Sequence, residues 1–145
     1  MSERKQNKKI DKRAPVIVGV GDLVDRSKED GLNPQELLAK ACEHAIQDSG
    51  IKELSKHIDY VGVVRFTVDF LTATNQSNFQ YSNFPRTLAN KLNISAKNEV
   101  YAPMGGNSPQ VLLEDALVKI STGETDCALL SGGEALQTMI AKLKA

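Results

Sequence analysis

The chain has 145 residues, enough for one domain with one core. It is 41% hydrophobic and 25% charged with a formal net charge of zero, so bulk charge gives no reason to expect a nucleic-acid partner. The balance is uneven: residues 1–13 carry six Lys/Arg and two acids, a net +4, and the remainder carries −4.

Residues 1–13 are polar and basic without apolar periodicity, which predicts a disordered tail ahead of a folded unit over 14–145. No aromatic or Gly-Arg pattern accompanies the charge, so a nucleic-acid-binding arm is not expected. The tail lacks an apolar core, so neither is a secretory signal. No apolar run approaches the ~20 residues that cross a bilayer, so no membrane span is expected. Residues 15–23, PVIVGVGDL, form a β-branched run ending in glycines and predict a buried strand. Asn33 then caps a helix, with Pro34 at its first position and Glu36 closing a capping box. Leu37, Leu38, Ala41, Ala45 and Ile46 make its apolar stripe, and Gly50 supplies a left-handed stop. Residues 58–68, IDYVGVVRFTV, predict a second strand. Residues 69–83 are polar and aromatic with no period, and a connection that long is expected to be functional or mobile. Residues 85–92 predict a short helix and 99–102 a third strand. The clearest helix spans 107–123. Asn107 and Gln110 can form a capping box, Val111, Leu112, Ala116, Leu117 and Ile120 the buried face, and Gly123 the stop. Residues 126–134 predict a fourth strand with a glycine turn, and 135–145 a last helix.

The alternation β-α-β-α-β-α-β predicts a layered α/β domain with a mostly parallel sheet. Ligands in such sheets sit beyond the carboxyl ends of the strands. Gly105-Gly106 and Gly132-Gly133 both fall at such ends. The free N–H groups at the helix start after Gly106 can hold a carboxylate, a phosphate or a developing oxyanion, although Pro109 removes one donor. The bland alternative is a tight turn. No Gly-x-x-x-x-Gly-Lys pattern supports a phosphate loop, and Ser108 lacks the Gly-x-Ser-x-Gly frame of a nucleophile elbow. The Gly19-to-Asp22 run, GVGD, lacks the third glycine of a dinucleotide loop. Cys42 and Cys127 read as small core residues, and with them an intracellular, cytoplasmic setting. His44 and His57 do not have metal-pair spacing, and no metal is expected. Asp126 and Glu134 are too far apart along a strand to work as a carboxylate pair. The residues taken alone give an α/β domain with glycine turns and no complete catalytic set.

Residues 105–136, GGNSPQVLLEDALVKISTGETDCALLSGGEAL, resemble the amino-terminal part of the thiolase superfamily. Ile120-Ser121-Thr122-Gly123, Asp126 and Gly132-Gly133-Glu134 match that family's pattern. PVIVGVGDL with NPQELLAKACEHAIQDSGI is similar to its first strand and helix. The resemblance is closest to sterol-carrier-type thiolases and to thiolase-like proteins without the nucleophilic cysteine. It implies the incomplete first half of a two-half fold. It also implies that the slot of the acyl-accepting cysteine falls on Gly105, where no covalent acyl transfer is possible. The parent activity implied is that of an acetyl-CoA acyltransferase, with no catalysis by this chain alone and no catalytic residue in it. Gly105, Gly106, Asn107 and Ser108 are then the candidate contacts to a CoA thioester, bound as substrate or ligand and not covalently. Two alternatives stand beside this: a non-catalytic CoA-thioester binding module, and a structural fragment. An open sheet edge and unmatched apolar faces imply a homodimer or a partner chain.

Overall fold

In the computed structural model the described residues are 11–27, 31–67, 69 and 83–144. Asn33 opens helix α1 (Pro34–Asp48) as its sequence demands. Its Oδ1 accepts from the Glu36 N–H at 2.9 Å, and Glu36 Oε2 accepts from the Asn33 N–H at 3.0 Å. Gly50, at φ 64°, follows the C-cap Ser49. The buried face of α1 is rotated from the predicted stripe. Gln35, Leu38, Ala39 and Cys42 are buried, while Leu37, Ala41, Ala45 and Ile46 are half-buried.

A 3-10 turn (Leu54–Lys56) leads to strand β1 (Tyr60–Val64), then helix α2 (Phe84–Lys91) and strand β2 (Asn98–Ala102). Helix α3 (Ser108–Thr122) follows, ending at Gly123 with φ 83°. Strand β3 (Ala128–Ser131) and helix α4 (Leu136–Lys144) complete the described chain. Among the described residues the sheet is three-stranded and all parallel, in the order β2-β1-β3, with Tyr60 opposite Asn98 on one side and Ala128 on the other. A parallel sheet needs both faces covered. One face packs Val61, Val63 and Phe66 against Leu38 and Cys42 of α1 and Phe84 and Leu88 of α2. The other packs Tyr60 and Ala102 against Leu112 and Ala116 of α3. Gly62, mid-strand, is where α3 comes closest: a Cβ there would lie 2.8 Å from Leu112 Cδ1.

The start of the sheet is tied by one residue. Asp59, 8% exposed, precedes β1. Its Oδ1 accepts from the N–H groups of Asp126 at 3.2 Å and Cys127 at 3.3 Å, just ahead of β3. Its carbonyl accepts from Lys97 and Asn98, where β2 begins, at 2.8 and 3.0 Å. Nothing local in the sequence marks this residue, because its partners lie up to 68 positions away.

The predicted first strand is not part of the sheet. Residues 15–23 form no ladder, and Val16 and Ile17 are 75% and 80% exposed. The glycines explain the placement. A Cβ on Gly19 would overlap the Ala45 carbonyl, and one on Gly21 would overlap Ala41 O and Ala45 N, so this segment lies directly on the backbone of α1. Val20 N–H donates to Asp48 Oδ2 at 2.9 Å, and His44 Nδ1 lies 2.9 Å from Asp22 O. GVGD is thus a close-approach motif. The second strand is also shorter than predicted: it stops at Val64, and Phe66 turns fully into the core. In α3, Leu112 and Ala116 are buried as predicted, but Val111 and Leu117 are 50% and 41% exposed. The 69–83 connection lies outside the described residues except for its two ends, and so do the first ten residues of the basic tail. Arg13 is described, and its guanidinium reaches Ile120 O at the end of α3 at 3.5 Å.

Asp25 ties Leu32, just ahead of α1, to the preceding segment. It accepts from Leu32 N–H at 2.6 Å and Ser27 N–H at 2.9 Å, and these backbone bonds hold its carboxyl down at about 2. A depressed folded-state value stabilises the fold above the ordinary carboxyl range, and that contribution disappears as the pH drops through the folded value. An NMR titration is therefore expected to place the Asp25 midpoint near 2, with the Leu32 amide shifting in step. An ordinary midpoint near 4 contradicts the assigned bonds.

Candidate functional site

β2 delivers the chain at its carboxyl end to the exposed turn 103–107, and α3 begins directly after it. Ser108 pins this turn. It is 3% exposed, its Oγ donates to Pro103 O at 2.6 Å, and its N–H donates to Gly105 O at 3.0 Å. Gln110 and Val111 donate to Asn107 O at 3.0 and 3.1 Å. Pro109 has no N–H to offer. The donors at the helix start are therefore fewer than the sequence predicts. The N–H groups of Gly106 and Asn107 remain without a hydrogen bond among the described residues. Asn107 itself has helical backbone angles and no side-chain cap bond, so the predicted capping box with Gln110 does not form.

Neither Gly105 nor Gly106 has a left-handed φ. Glycine is therefore not demanded there by backbone conformation. A Cβ on Gly106 meets nothing within 4 Å. A Cβ on Gly105 lies 3.2 Å from Asn107 Oδ1 and 3.3 Å from Ser108 Oγ, both side-chain atoms. Gly106 thus has room for a side chain, while one at Gly105 needs Asn107 Oδ1 and the Pro103-bonded Ser108 Oγ to give by a few tenths of an ångström.

The second glycine pair lies at the carboxyl end of β3. Glu134 Oε1 accepts from both the N–H and the Oγ1 of Thr67, at 2.8 and 2.7 Å, and so ties the loop after β3 to the loop after β1. Between them is a cavity of about 490 Å³, bounded by Arg65, Pro109, Leu112, Gly132, Gly133 and Glu134 among others. The strand ends and the first turn of α3 thus share one opening, at the place expected for a ligand in an α/β sheet. Of the predicted contacts, Gly105, Gly106, Asn107 and Ser108 are outside the lining of this cavity, although Pro109 is in it. Arg65 was not legible as a site residue, since a single Arg after a strand carries no signal. Its guanidinium stands 4.6 Å over the Tyr101 ring at the cavity edge, with Glu134 on the same lining.

Neither cysteine lines this cavity, although the Cys42 thiol meets Ser131 at the end of β3 from the other face of the sheet. Cys42 is on α1, across the sheet from α3, and burial pushes it up to about 11. Cys127 precedes β3 at the amino end of the sheet, where burial also raises it. Both are free. Asp126 and Glu134 lie at opposite ends of β3.

A similar structure is the crystal structure of a monomeric SCP2-thiolase-like protein type 1 from Mycobacterium smegmatis. It matches 86% of this chain with 31% identity and a TM-score of 0.70. The fold is thiolase-like, and partial. An acetyl-CoA acetyltransferase from Syntrophomonas wolfei matches 79% of this chain with 20% identity and a TM-score of 0.60. The chain spans only 24% of the first structure and 27% of the second. No protein-family model matches it, and no curated protein does. Among the described residues no helix is long and apolar enough to cross a membrane. Among the described residues the thiolase-like unit has three parallel strands with helices on both faces. Its two glycine turns lie at the carboxyl ends of β2 and β3.

Proposed function

We propose that this chain is the amino-terminal unit of a thiolase-superfamily acyl-CoA-binding protein, related to the acetyl-CoA acyltransferases and without acyl transfer of its own. In this reading Gly105 occupies the slot of the acyl-accepting cysteine. The Gly106 and Asn107 N–H groups meet the thioester oxygen, and Arg65 offers a cation to an anionic part of the ligand. The observation that carries the reading is the exposed turn at Gly105, where no left-handed φ requires glycine and two unbonded N–H groups follow. Two adjacent free N–H groups at a helix start favour a partial negative charge, as on a polarised carbonyl. With hydrogen in place of a thiol, the bound thioester has no nucleophile to attack it.

Isothermal calorimetry with acetyl-CoA tests this. Binding is expected at micromolar to millimolar strength, and Asn107→Pro, which deletes one of the two donors, is expected to weaken it roughly fivefold. Heats at the level of buffer dilution throughout the millimolar range remove the reading.

A further inference from the structure

Strand alternation breaks at the end of β1. Val63 and Phe66 stand at an odd spacing, yet both pack on the face that meets α1 and α2. The ladder to β2 stops at Val64, so the backbone donors that follow need other partners. Side chains from both neighbours supply them. Phe66 N–H donates to Tyr101 Oη of β2 at 3.4 Å. Thr67 N–H and Oγ1 both donate to Glu134 Oε1, beyond β3, at 2.8 and 2.7 Å. Arg65 therefore lies between the last ladder residue and two residues that are each held by a side chain.

Its own side chain is tied to the same network. The Arg65 Cζ stands 4.6 Å from the centroid of the Tyr101 ring. That ring is itself fixed: it stacks on Phe84 at 6.0 Å, and Phe84 meets Phe66 at 4.7 Å in the core. The Tyr101 hydroxyl also bonds to Asp69. An exposed Arg ordinarily samples many rotamers and gives them up when it binds an anion. A guanidinium already laid on a fixed ring has less left to give up.

We propose that Glu134 and Thr67 are positioning residues, whose paired bonds hold Arg65 on Tyr101 in the orientation in which it meets the anionic oxygens of a ligand. The consequence for binding rests on the thioester reading above, whereas the positioning itself does not. What position 134 supplies is an acceptor oxygen, so an amide serves there and a methyl group does not. A tie that merely braced two loops would lower stability when cut and leave the Arg65 side chain where it was.

NMR of the isotopically labelled chain, without ligand, reads the placement. The Arg65 side-chain protons are expected upfield of their random-coil positions, because they lie over an aromatic ring. Glu134→Ala and Thr67→Val are expected to lose most of that displacement, and Glu134→Gln and Thr67→Ser to keep it. Unmoved Asn33 and Glu36 amides in the α1 capping box show that each variant is folded. Calorimetry with acetyl-CoA reads the consequence. Glu134→Ala and Thr67→Val are expected to bind roughly tenfold more weakly, which is the rotamer freedom an unheld Arg surrenders. Arg65→Ala with Glu134→Ala is expected to bind no more weakly than Arg65→Ala alone. Arg65 protons at random-coil positions in the wild-type chain overturn the proposal. So do protons that stay displaced in both Glu134→Ala and Thr67→Val, or losses that add in the double variant. The expected NMR pattern in a chain that binds no acetyl-CoA upholds the positioning and removes the thioester reading alone.

Discussion

Asp59→Ala is expected to lower the unfolding free energy by about 3 kcal/mol, and the melting temperature by roughly 10 °C. The carboxylate accepts from two backbone N–H groups ahead of β3 and lies within 3.5 Å of Lys97 Nζ. Its removal leaves those donors short of a partner in a part-buried place, where an unmade charged bond costs about 1.5–3 kcal/mol. Asp59→Asn keeps one acceptor oxygen and is expected to lose about half as much. Lys97→Ala is the control. Its side chain is 73% exposed, and an exposed ion pair contributes about 0–1 kcal/mol. Chemical denaturation of the three variants checks the order. A loss below about 1 kcal/mol for Asp59→Ala means that the ladders alone align the three strands.

Gly105→Cys is expected to create the most reactive thiol in the chain. The new Sγ would stand on an exposed turn, next to two free N–H groups and ahead of a helix start, and each of these favours the thiolate. The native thiols are disfavoured by burial, Cys42 at about 11 and Cys127 also raised. An ordinary thiol near 8.5 holds on the order of a hundredfold more thiolate at neutral pH than one near 11. Alkylation by iodoacetamide, followed by peptide mass spectrometry, is expected to label position 105 faster than Cys42 by at least that ratio. Stability is expected to fall by about 1 kcal/mol, because φ at 105 is not left-handed but the Pro103-bonded Ser108 Oγ must give way by a few tenths of an ångström. Labelling no faster than Cys42 means that the turn is closed to a thiol.

The features legible in the sequence were the local ones. Asn33, Glu36, Gly50 and Gly123 act through bonds within a few residues, and each stands where its chemistry predicts. The alternation of elements gave the parallel α/β class, because both faces of such a sheet must be covered. Residues 15–23 were misread because β-branched composition describes a strand's preference and not its partner. Two glycines fitted to the α1 backbone take the segment away from the sheet, and only the folded chain reveals that fit. Val111 and Leu117 were misread for a related reason. Helix α3 is apolar on more than one side, so periodicity alone could not choose the side that meets Tyr60 and Ala102. At the site, the glycine turns and the lack of a Cys, His, Lys or acid in residues 103–108 could be read from residue types. Arg65, Thr67 and the loss of donors at Ser108 and Gln110 could not, since they depend on loops brought together from separate strands.

Under the proposed function, a thiolase-like turn holds glycine where acyl transfer needs a thiol. Intact-mass spectrometry after incubation with acetyl-CoA tests it most directly. The wild-type chain is expected to keep its unmodified mass under conditions where calorimetry shows the ligand bound. A hydroxylamine-sensitive acetyl adduct on the wild-type chain would contradict it, because that chain would then have found a nucleophile elsewhere.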